Sequence, residues 1–311
     1  MDRAPAHPDN CGEPPLAVDP GAVDMEEYWE QRLHTFRAGH EERMLTIGEQ
    51  VWRYLTGGAG ERAALLLHGS SGDGESLFGL MSSLERVYRV VAPTYPDGAH
   101  SITAVVDGLA QLLHALETPP ALVVGYSLGG YLAQALAWRH PACVAGLALL
   151  NTGGPVPGAV RGESLQNALL AAAPGGVVRV AARAGAAALL SLEAPGLDRG
   201  AASFWRGYFA EMTRRVGKRR MLTHGRLVID FLSGPIGLEP TREGWPEPAT
   251  LIVNSARDRI IEPAELRALD ALYPHAARTL EPNAGHLSVL TQPERYLAHI
   301  EAAFPSPRAV G

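Results

Sequence analysis

The sequence predicts an α/β protein with a mostly parallel sheet, helices on both faces of the sheet and an inserted block of helices. Short apolar runs alternate with helical segments between residues 62 and 154 and again between 247 and 305, a pattern typical of a parallel sheet covered by helices. From 155 to 246 this alternation stops, and helical segments separated by Pro and Gly replace it. We therefore expect a core domain formed by 24–154 and 247–305, with 155–246 inserted as an all-helical lid over the carboxyl edge of the sheet.

The chain before the core has two parts with different composition. Residues 1–23 are rich in Pro, Asp and Ala and contain no apolar stretch, which predicts a disordered leader. Asp24 can cap an amphipathic helix that runs to Gly39. Its aromatic pair, Tyr28 and Trp29, is expected to pack on the domain or, alternatively, to anchor a homodimer. At the other end of the chain, residues 306–311 are expected to form a loose tail.

Each core element has a local signal in the sequence. The predicted strands are an edge hairpin followed by short apolar runs, at Arg43–Gly48, Gln50–Leu55, Arg62–Leu67, Tyr88–Ala92, the run from Ala121, Val144–Leu150, Ala249–Asn254 and Ala277–Leu280. The predicted core helices are one ending near Leu84, Ile102–Glu117, Leu128–His140, Pro263–Leu272 and one ending near Phe304. The lid is predicted to contain four helices, at Leu165–Ala173, Val177–Leu192, Ser203–Val216 and Arg219–Leu232.

A Gly-x-Ser-x-Gly segment centred on Ser127 joins a buried strand to an Ala-rich helix. Strand, sharp turn and helix in this order predict a nucleophile elbow, in which a strained backbone lifts the serine hydroxyl clear of the sheet. Gly125 and Gly129 suit this turn because a Cβ atom at either position would collide with the neighbouring strand or helix. The alternative is an ordinary strand-to-helix turn that happens to contain serine.

Two further loops at the carboxyl ends of predicted strands carry an acid and a base. Asp258 follows one strand and His286 follows the next, so the chain order is Ser, Asp, His. A serine hydroxyl needs a base, and an imidazole needs a partner that fixes its tautomer, so the sequence predicts a triad of Ser127, Asp258 and His286. Both loop residues could instead serve as turn or cap residues. Asp230 is the rival acid, but it lies in the predicted lid, and Asn151 cannot carry the charge.

The loop after the first central strand reads His68-Gly69-Ser70-Ser71. We expect the backbone N–H groups of Ser70 and Leu128 to form an oxyanion hole. His68 is predicted to order this loop, and His68, Ser71 and Tyr126 are candidates for the substrate pocket. Ser71 could equally shape the turn alone.

Composition excludes several classes of function. The chain of 311 residues has a net charge of −6 and only 19% charged residues, so no basic field indicates nucleic-acid binding. No apolar run is expected to reach the length of a membrane span, and no metal or cofactor is expected. Two cysteines, Cys11 and Cys143, are a poor basis for a disulfide, which favours a reducing, cytoplasmic setting.

Four segments carry a likeness to a known family: LLLHGSSGDG, VVGYSLGGYLAQALAWRHP, LIVNSARDRIIEP and NAGHLSVLTQPERYLAHI. On these segments the chain resembles the α/β-hydrolase superfamily from about Arg43 to Phe304. The resemblance implies a mainly parallel eight-stranded sheet with an inserted cap. The segments YRVVAPTYP and SLGGYLAQ are also similar to maspardin and its bacterial relatives, which are regarded as binding proteins rather than enzymes.

These observations leave three functional hypotheses open. The first is a serine hydrolase that cleaves an ester, thioester or lactone of a largely apolar small molecule through an acyl-enzyme, because the predicted lid is rich in Ala, Leu and Val. The second is a C–C bond hydrolase or a non-hydrolytic cyclase of secondary metabolism, and the third is a binding protein. Arginines of the lid could anchor an anionic group or form solvated faces: Arg179, Arg183, Arg214, Arg215, Arg219 and Arg220.

Overall fold

The computed structural model describes residues 24–157, 160–194, 196–234 and 247–305. The predicted leader, 1–23, and the predicted tail, 306–311, lie outside the described residues. So do three parts of the predicted lid, namely 158–159, 195 and 235–246.

Eight strands of the described chain form one sheet. They are β1 (Arg43–Ile47), β2 (Gln50–Gly57), β3 (Arg62–Leu67), β4 (Tyr88–Thr94), β5 (Ala121–Tyr126), β6 (Val144–Leu150), β7 (Thr250–Ser255) and β8 (Ala277–Glu281). Their order across the sheet is β1-β2-β4-β3-β5-β6-β7-β8. The pairs β1–β2 and β2–β4 are antiparallel, and all other neighbours are parallel. The predicted mostly parallel, eight-stranded sheet is confirmed.

Helices cover both faces of this sheet. They are α1 (Met25–Gly39), α2 (Phe78–Leu84), α3 (Ile102–Ala115), α4 (Leu128–Arg139), α5 (Arg161–Ala172), α6 (Gly175–Glu193), α7 (Arg199–Leu232), α8 (Pro263–Leu272), α9 (Ser288–Thr291) and α10 (Pro293–Ala303). One apolar cluster joins the sheet to α1, α2 and α10, and the other joins it to α3, α4 and α8. Successive strand residues such as Val123 and Val124 belong to opposite clusters, as the two-residue period of a strand requires.

Local signals set several element ends. The carboxylate of Asp24 accepts hydrogen bonds from the amides of Glu26 and Glu27 and so caps α1, as predicted. The last predicted helix differs, because it is divided into α9 and α10. The break falls at Gln292, whose φ is −141°, directly before Pro293. A proline disfavours the helical conformation of the residue before it, which explains the division.

The helices α5, α6 and α7 form an insertion between β6 and β7, two strands that are neighbours in the sheet. We call α5–α7 the insertion. The predicted helices Ser203–Val216 and Arg219–Leu232 correspond to the two halves of α7, which are separated by a kink at Gly217, where φ is +66° and ψ is 169°. Trp29 of α1 secures the insertion to the core because its ring packs between Phe78 of α2 and both Phe204 and Trp205 of α7.

The outer surface of the insertion is more apolar than the sequence indicated. Five large side chains of α5 and α6 are exposed: Leu165, Leu169, Val177, Val180 and Leu192. By length and composition alone, α6 could cross a membrane, so the expectation that no apolar run reaches that length was wrong. Only 11% of this stretch is buried, and α6 packs along α7 as a surface helix. These apolar side chains therefore face away from the core.

Candidate active site

Ser127 sits at the tip of the turn between β5 and α4 with a φ of +53° and a ψ of −121°. This left-handed conformation is rare for a residue with a side chain and indicates a strained turn. The flanking glycines are needed for close packing, as predicted. A Cβ atom on Gly125 would lie 2.4 Å from the Gly129 carbonyl oxygen, and one on Gly129 would lie 2.0 Å from the Leu67 carbonyl oxygen. The turn therefore has the geometry of a nucleophile elbow.

The structure brings Ser127, His286 and Asp258 into one hydrogen-bonded chain. His286 follows β8, and its Nε2 atom lies 3.0 Å from the Oγ atom of Ser127. Its Nδ1 atom lies 2.8 Å from the Oδ2 atom of Asp258, which follows β7. The three residues follow the carboxyl ends of β5, β7 and β8, where parallel sheets place their functional loops. Ser127 and His286 are only 7% and 5% exposed, so solvent screens these contacts little.

Asp258 is at once a turn residue and the partner of His286. Its Oδ1 atom accepts hydrogen bonds from the amides of Ile260 at 2.8 Å and Ile261 at 3.1 Å. This leaves Oδ2 directed at the imidazole. The rival acid, Asp230, has a different partner, because its carboxylate accepts a hydrogen bond from the amide of Ile102 and so caps α3.

The predicted oxyanion hole consists of the backbone amides of Ser70 and Leu128, and it stays a prediction. Neither amide donates a hydrogen bond to another described residue. A Cβ atom on Gly69 would lie 3.4 Å from the Cβ atom of Ser127, so the backbone that carries the Ser70 amide runs past the serine. The carbonyl oxygen of Gly69 accepts from Gly72 at 3.0 Å and contacts the His68 Nδ1 atom at 2.8 Å. These contacts fix the peptide plane whose N–H belongs to Ser70.

The sequence profile of the Alpha/beta hydrolase family matches residues 64–299 of this chain. The chain belongs to this family. An uncharacterized protein of Mycobacterium bovis is 31% identical over 100 residues, which are 30% of this chain and 29% of that protein. The match therefore spans less than a third of that relative's length. The sn-1-specific diacylglycerol lipase ABHD11 of Mus musculus is 26% identical over 257 residues, which are 79% of this chain and 82% of that protein.

Solved structures share the fold of this alpha/beta hydrolase. A hydrolase from Pseudomonas aeruginosa superposes with a TM-score of 0.71 at 20% identity, covering 85% of this chain and 98% of that one. The enol-lactonase from Burkholderia xenovorans superposes with a TM-score of 0.69 at 16% identity, covering 84% and 99%. At these identities the likeness shows the fold alone.

The three candidate pocket residues have different environments. Tyr126 is buried, its ring centroid lies 5.2 Å from that of His286, and burial raises its pKa well above the usual value. His68 is buried and stacks on Tyr95 at 3.9 Å, and burial lowers its pKa. Ser71 is exposed, and its place in a substrate pocket stays a prediction.

Three residues with contacts to the loops of this alpha/beta hydrolase were not predicted from the sequence. Asn151, which follows β6, donates hydrogen bonds to the carbonyl oxygens of the His286 loop. His224 of α7 contacts the Ser70 carbonyl oxygen through Nδ1, and burial lowers its pKa to about 4. Glu193, at the end of α6, contacts the Asp258 and His286 loops. Each contact joins a side chain to a backbone distant in the sequence, which no local pattern signals.

Two arginines of the insertion are paired with loops of the core. Arg215 contacts Asp73 at 3.0 Å and Arg220 contacts Asp97 at 2.7 Å. Both charges are therefore compensated within the chain, and both hold α7 against the core. No group of three or more His, Cys, Asp or Glu side chains within the described ranges has the spacing of a metal site.

Proposed function

We propose that this alpha/beta hydrolase is a serine hydrolase that cleaves an ester, thioester or lactone through an acyl-enzyme. The observation that carries the proposal is the continuous contact from the Ser127 Oγ atom to His286 and on to Asp258, at 3.0 and 2.8 Å. Both distances are within hydrogen-bonding range, and the nucleophile, the base and the residue that orients the base are in the required order.

The first step forms the acyl-enzyme. The Ser127 Oγ atom attacks the substrate carbonyl carbon while the hydroxyl proton moves to the Nε2 atom of His286. The resulting oxyanion accepts hydrogen bonds from the amides of Leu128 and Ser70. Leu128 opens α4, so its amide has no partner within the helix, and the helix dipole favours negative charge at this position. The imidazolium then gives its proton to the leaving oxygen or sulfur atom as the bond to the carbonyl carbon breaks.

The second step releases the acyl group. A water molecule gives a proton to His286 and attacks the acyl carbonyl carbon, and the same two amides bind the new oxyanion. The proton returns to the Ser127 Oγ atom as the carboxylic acid leaves. In both steps Asp258 accepts the Nδ1–H bond of His286, which keeps Nε2 free to receive a proton and stabilises the imidazolium.

A largely apolar substrate remains part of the proposal, although its basis has changed. The apolar residues that led to this expectation include five whose side chains are exposed to solvent on α5 and α6, so lid composition alone does not support it. Support comes instead from the likeness to a protein named as a diacylglycerol lipase. A series of p-nitrophenyl esters of increasing acyl length tests this expectation, and a preference for acetate over longer acyl chains would contradict it.

Intact-mass spectrometry after treatment with a fluorophosphonate tests the proposed nucleophile. We expect one adduct on the wild-type protein, and we expect the adduct to disappear in Ser127→Ala and to form far more slowly in His286→Ala. Absence of an adduct on the wild type would overturn the proposal. An adduct without hydrolysis of any ester, thioester or lactone would favour the C–C hydrolase or cyclase alternative.

A reducing, cytoplasmic setting is also proposed, on the basis of cysteine use. Cys143 is a free, partly buried thiol, and burial raises its pKa. Cys11 lies outside the described residues. A count of free thiols on protein purified without reductant tests the proposal, since a disulfide would remove both thiols at once.

A further inference from the structure

We propose that Glu193, contributed by the insertion, is a positioning residue that holds the Asp258 and His286 loops and supports the positive charge that forms on His286. The proposal rests on the function proposed above and adds to the site a member from outside the core. It also gives the insertion a role in the chemistry, beyond its predicted role as a lid.

Glu193 contacts the backbone directly after two members of the candidate triad. Its Oε1 atom accepts a hydrogen bond from the amide of Arg259 at 3.0 Å, and Arg259 follows Asp258. Its Oε2 atom accepts from the amide of Leu287 at 3.3 Å, and Leu287 follows His286. One carboxylate therefore binds both the loop that carries Asp258 and the loop that carries His286, which also contact each other through the Arg257 amide and the Ala284 carbonyl oxygen at 3.0 Å. Because Arg259 and Leu287 directly follow Asp258 and His286, a movement of the Glu193 carboxylate would also move the backbone of these two residues.

The site is shaped to receive this side chain. A Cβ atom on Gly285 would lie 2.2 Å from the Cβ atom of Glu193 and 2.6 Å from its Oε2 atom, so only glycine leaves room for the carboxylate beside His286. Glu193 is 1% exposed, and burial raises its pKa above the ordinary value. It is also the last residue of α6, where the helix dipole disfavours a negative charge. Both the burial of Glu193 and its place at the carboxyl end of α6 therefore make its negative charge unfavourable for the stability of the fold.

Electrostatics provide a reason for that cost. The titratable groups that interact with Glu193 are His286, Asp258 and the buried Tyr126. When His286 takes the proton of Ser127, the Asp258 carboxylate faces Nδ1 of the imidazolium. The Glu193 carboxylate is a second negative charge, which binds the amide of Leu287 directly after His286. In a buried site a nearby negative charge favours the imidazolium over the neutral ring. Glu193 can therefore stabilise the transition state without contacting the substrate.

A Glu193→Gln variant tests the proposal, because glutamine keeps the size and one acceptor oxygen but removes the charge. The rate of fluorophosphonate labelling is measured from about pH 5 to 9, together with the melting temperature. We expect labelling near neutral pH to slow about tenfold, and the pH of half-maximal labelling to fall by about half a unit or more. Glu265→Gln is the matched control, because Glu265 is a buried carboxylate that binds Tyr131 and the amide of Glu262, directly before α8, and contacts neither Asp258 nor His286. It should label at the wild-type rate.

A second variant and a second measurement keep the outcomes distinct. If Glu193→Gln does not fold, Glu193→Asp keeps the charge but is too short to reach both amides, and we expect slower labelling with little shift in the pH profile. NMR titration of the His286 imidazole needs no catalysis, and its midpoint should be lower in Glu193→Gln than in the wild type. If the wild-type protein itself is not labelled, the proposed function is refuted. An unchanged labelling rate and an unchanged imidazole titration in Glu193→Gln would overturn the role of Glu193.

Discussion

The side-chain nitrogen of Asn151 lies 3.0 Å from the carbonyl oxygen of His286 and donates a hydrogen bond to it. The same nitrogen donates to the carbonyl oxygen of Gly285 at 2.9 Å, while the Asn151 oxygen accepts from the Ser255 hydroxyl at 2.8 Å. Asn151 has a φ of +43°, a conformation that asparagine tolerates better than most residues. The Asn151 side chain at the end of β6 therefore supports the loop that carries His286, and an aspartate carboxylate could not donate these hydrogen bonds.

Asn151→Asp should destabilise the protein by about 3 kcal/mol, because a buried carboxylate would replace two donated hydrogen bonds and face two carbonyl oxygens. Denaturant unfolding measures the loss. Asn254→Asp is the control, because the Asn254 oxygen only accepts a hydrogen bond, from the Thr152 amide, and aspartate keeps that acceptor. Equal stability losses in the two variants would contradict the role assigned to the Asn151 amide.

Asp258→Asn should slow fluorophosphonate labelling by roughly 10³–10⁴-fold, because an amide nitrogen facing Nδ1 favours the wrong imidazole tautomer. Asp230→Asn provides the comparison, since Asp230 caps α3 and has no contact with His286. Labelling rates of the two variants should differ by orders of magnitude. If Asp230→Asn were the slower variant, the assignment of the acid would be wrong.

Acidification should destabilise the fold through His224. Burial lowers its pKa to about 4 from an ordinary value of 6.5, so between these values the unfolded chain binds more protons than the folded one. The contribution of His224 to the free energy of unfolding is therefore fully present above about pH 6.5 and is lost as the pH falls toward 4. His224→Asn can keep a donor near the Ser70 carbonyl oxygen without titrating, and its free energy of unfolding should depend less on pH in this window. The exposed His275→Asn should match the wild type, and identical pH dependence in all three proteins would contradict the prediction.

Trp29→Ala should lower the free energy of unfolding by about 3–5 kcal/mol, because the ring is 3% exposed and joins α1 to both the core and the insertion. Tyr28→Ala, at a position that is 36% exposed, should cost less than about 1 kcal/mol. Thermal unfolding compares the two. Light scattering on the same samples tests the homodimer prediction, and a wild-type dimer that persists in both Tyr28→Ala and Trp29→Ala would show that this aromatic pair does not anchor the partner.

The arrangement of strands and the positions of the three triad candidates could be predicted because each has a local signal. The apolar run from Ala121, the glycines around Ser127 and the helical spacing after them specify strand, turn and helix within 20 residues of one another. Asp258 and His286 each follow a run that is recognisable as a strand. Since parallel strands end at the same edge, three local patterns are enough to bring three distant side chains to one place.

The residues that support the loops could not be predicted in the same way. Asn151, His224 and Glu193 bind backbone carbonyls or amides, and a backbone group looks the same at every position of a sequence. The outward face of α6 was missed for a related reason: an Ala-rich helix with apolar residues on several sides does not indicate which side is buried. Such contacts depend on how the insertion lies on the core, which is a property of the tertiary structure.

The position of the insertion between β6 and β7 has a consequence for how the molecule is assembled. These strands are neighbours in the sheet, yet α5, α6 and α7 all separate them along the chain. Closing so long a loop costs entropy before the strand pairing can compensate for it, so we expect β7 and β8 to join the sheet late in folding. During synthesis, a chain that has emerged as far as α7 contains Ser127 but neither Asp258 nor His286. The candidate nucleophile is therefore made early and stays without its two hydrogen-bonded neighbours until the last strands dock.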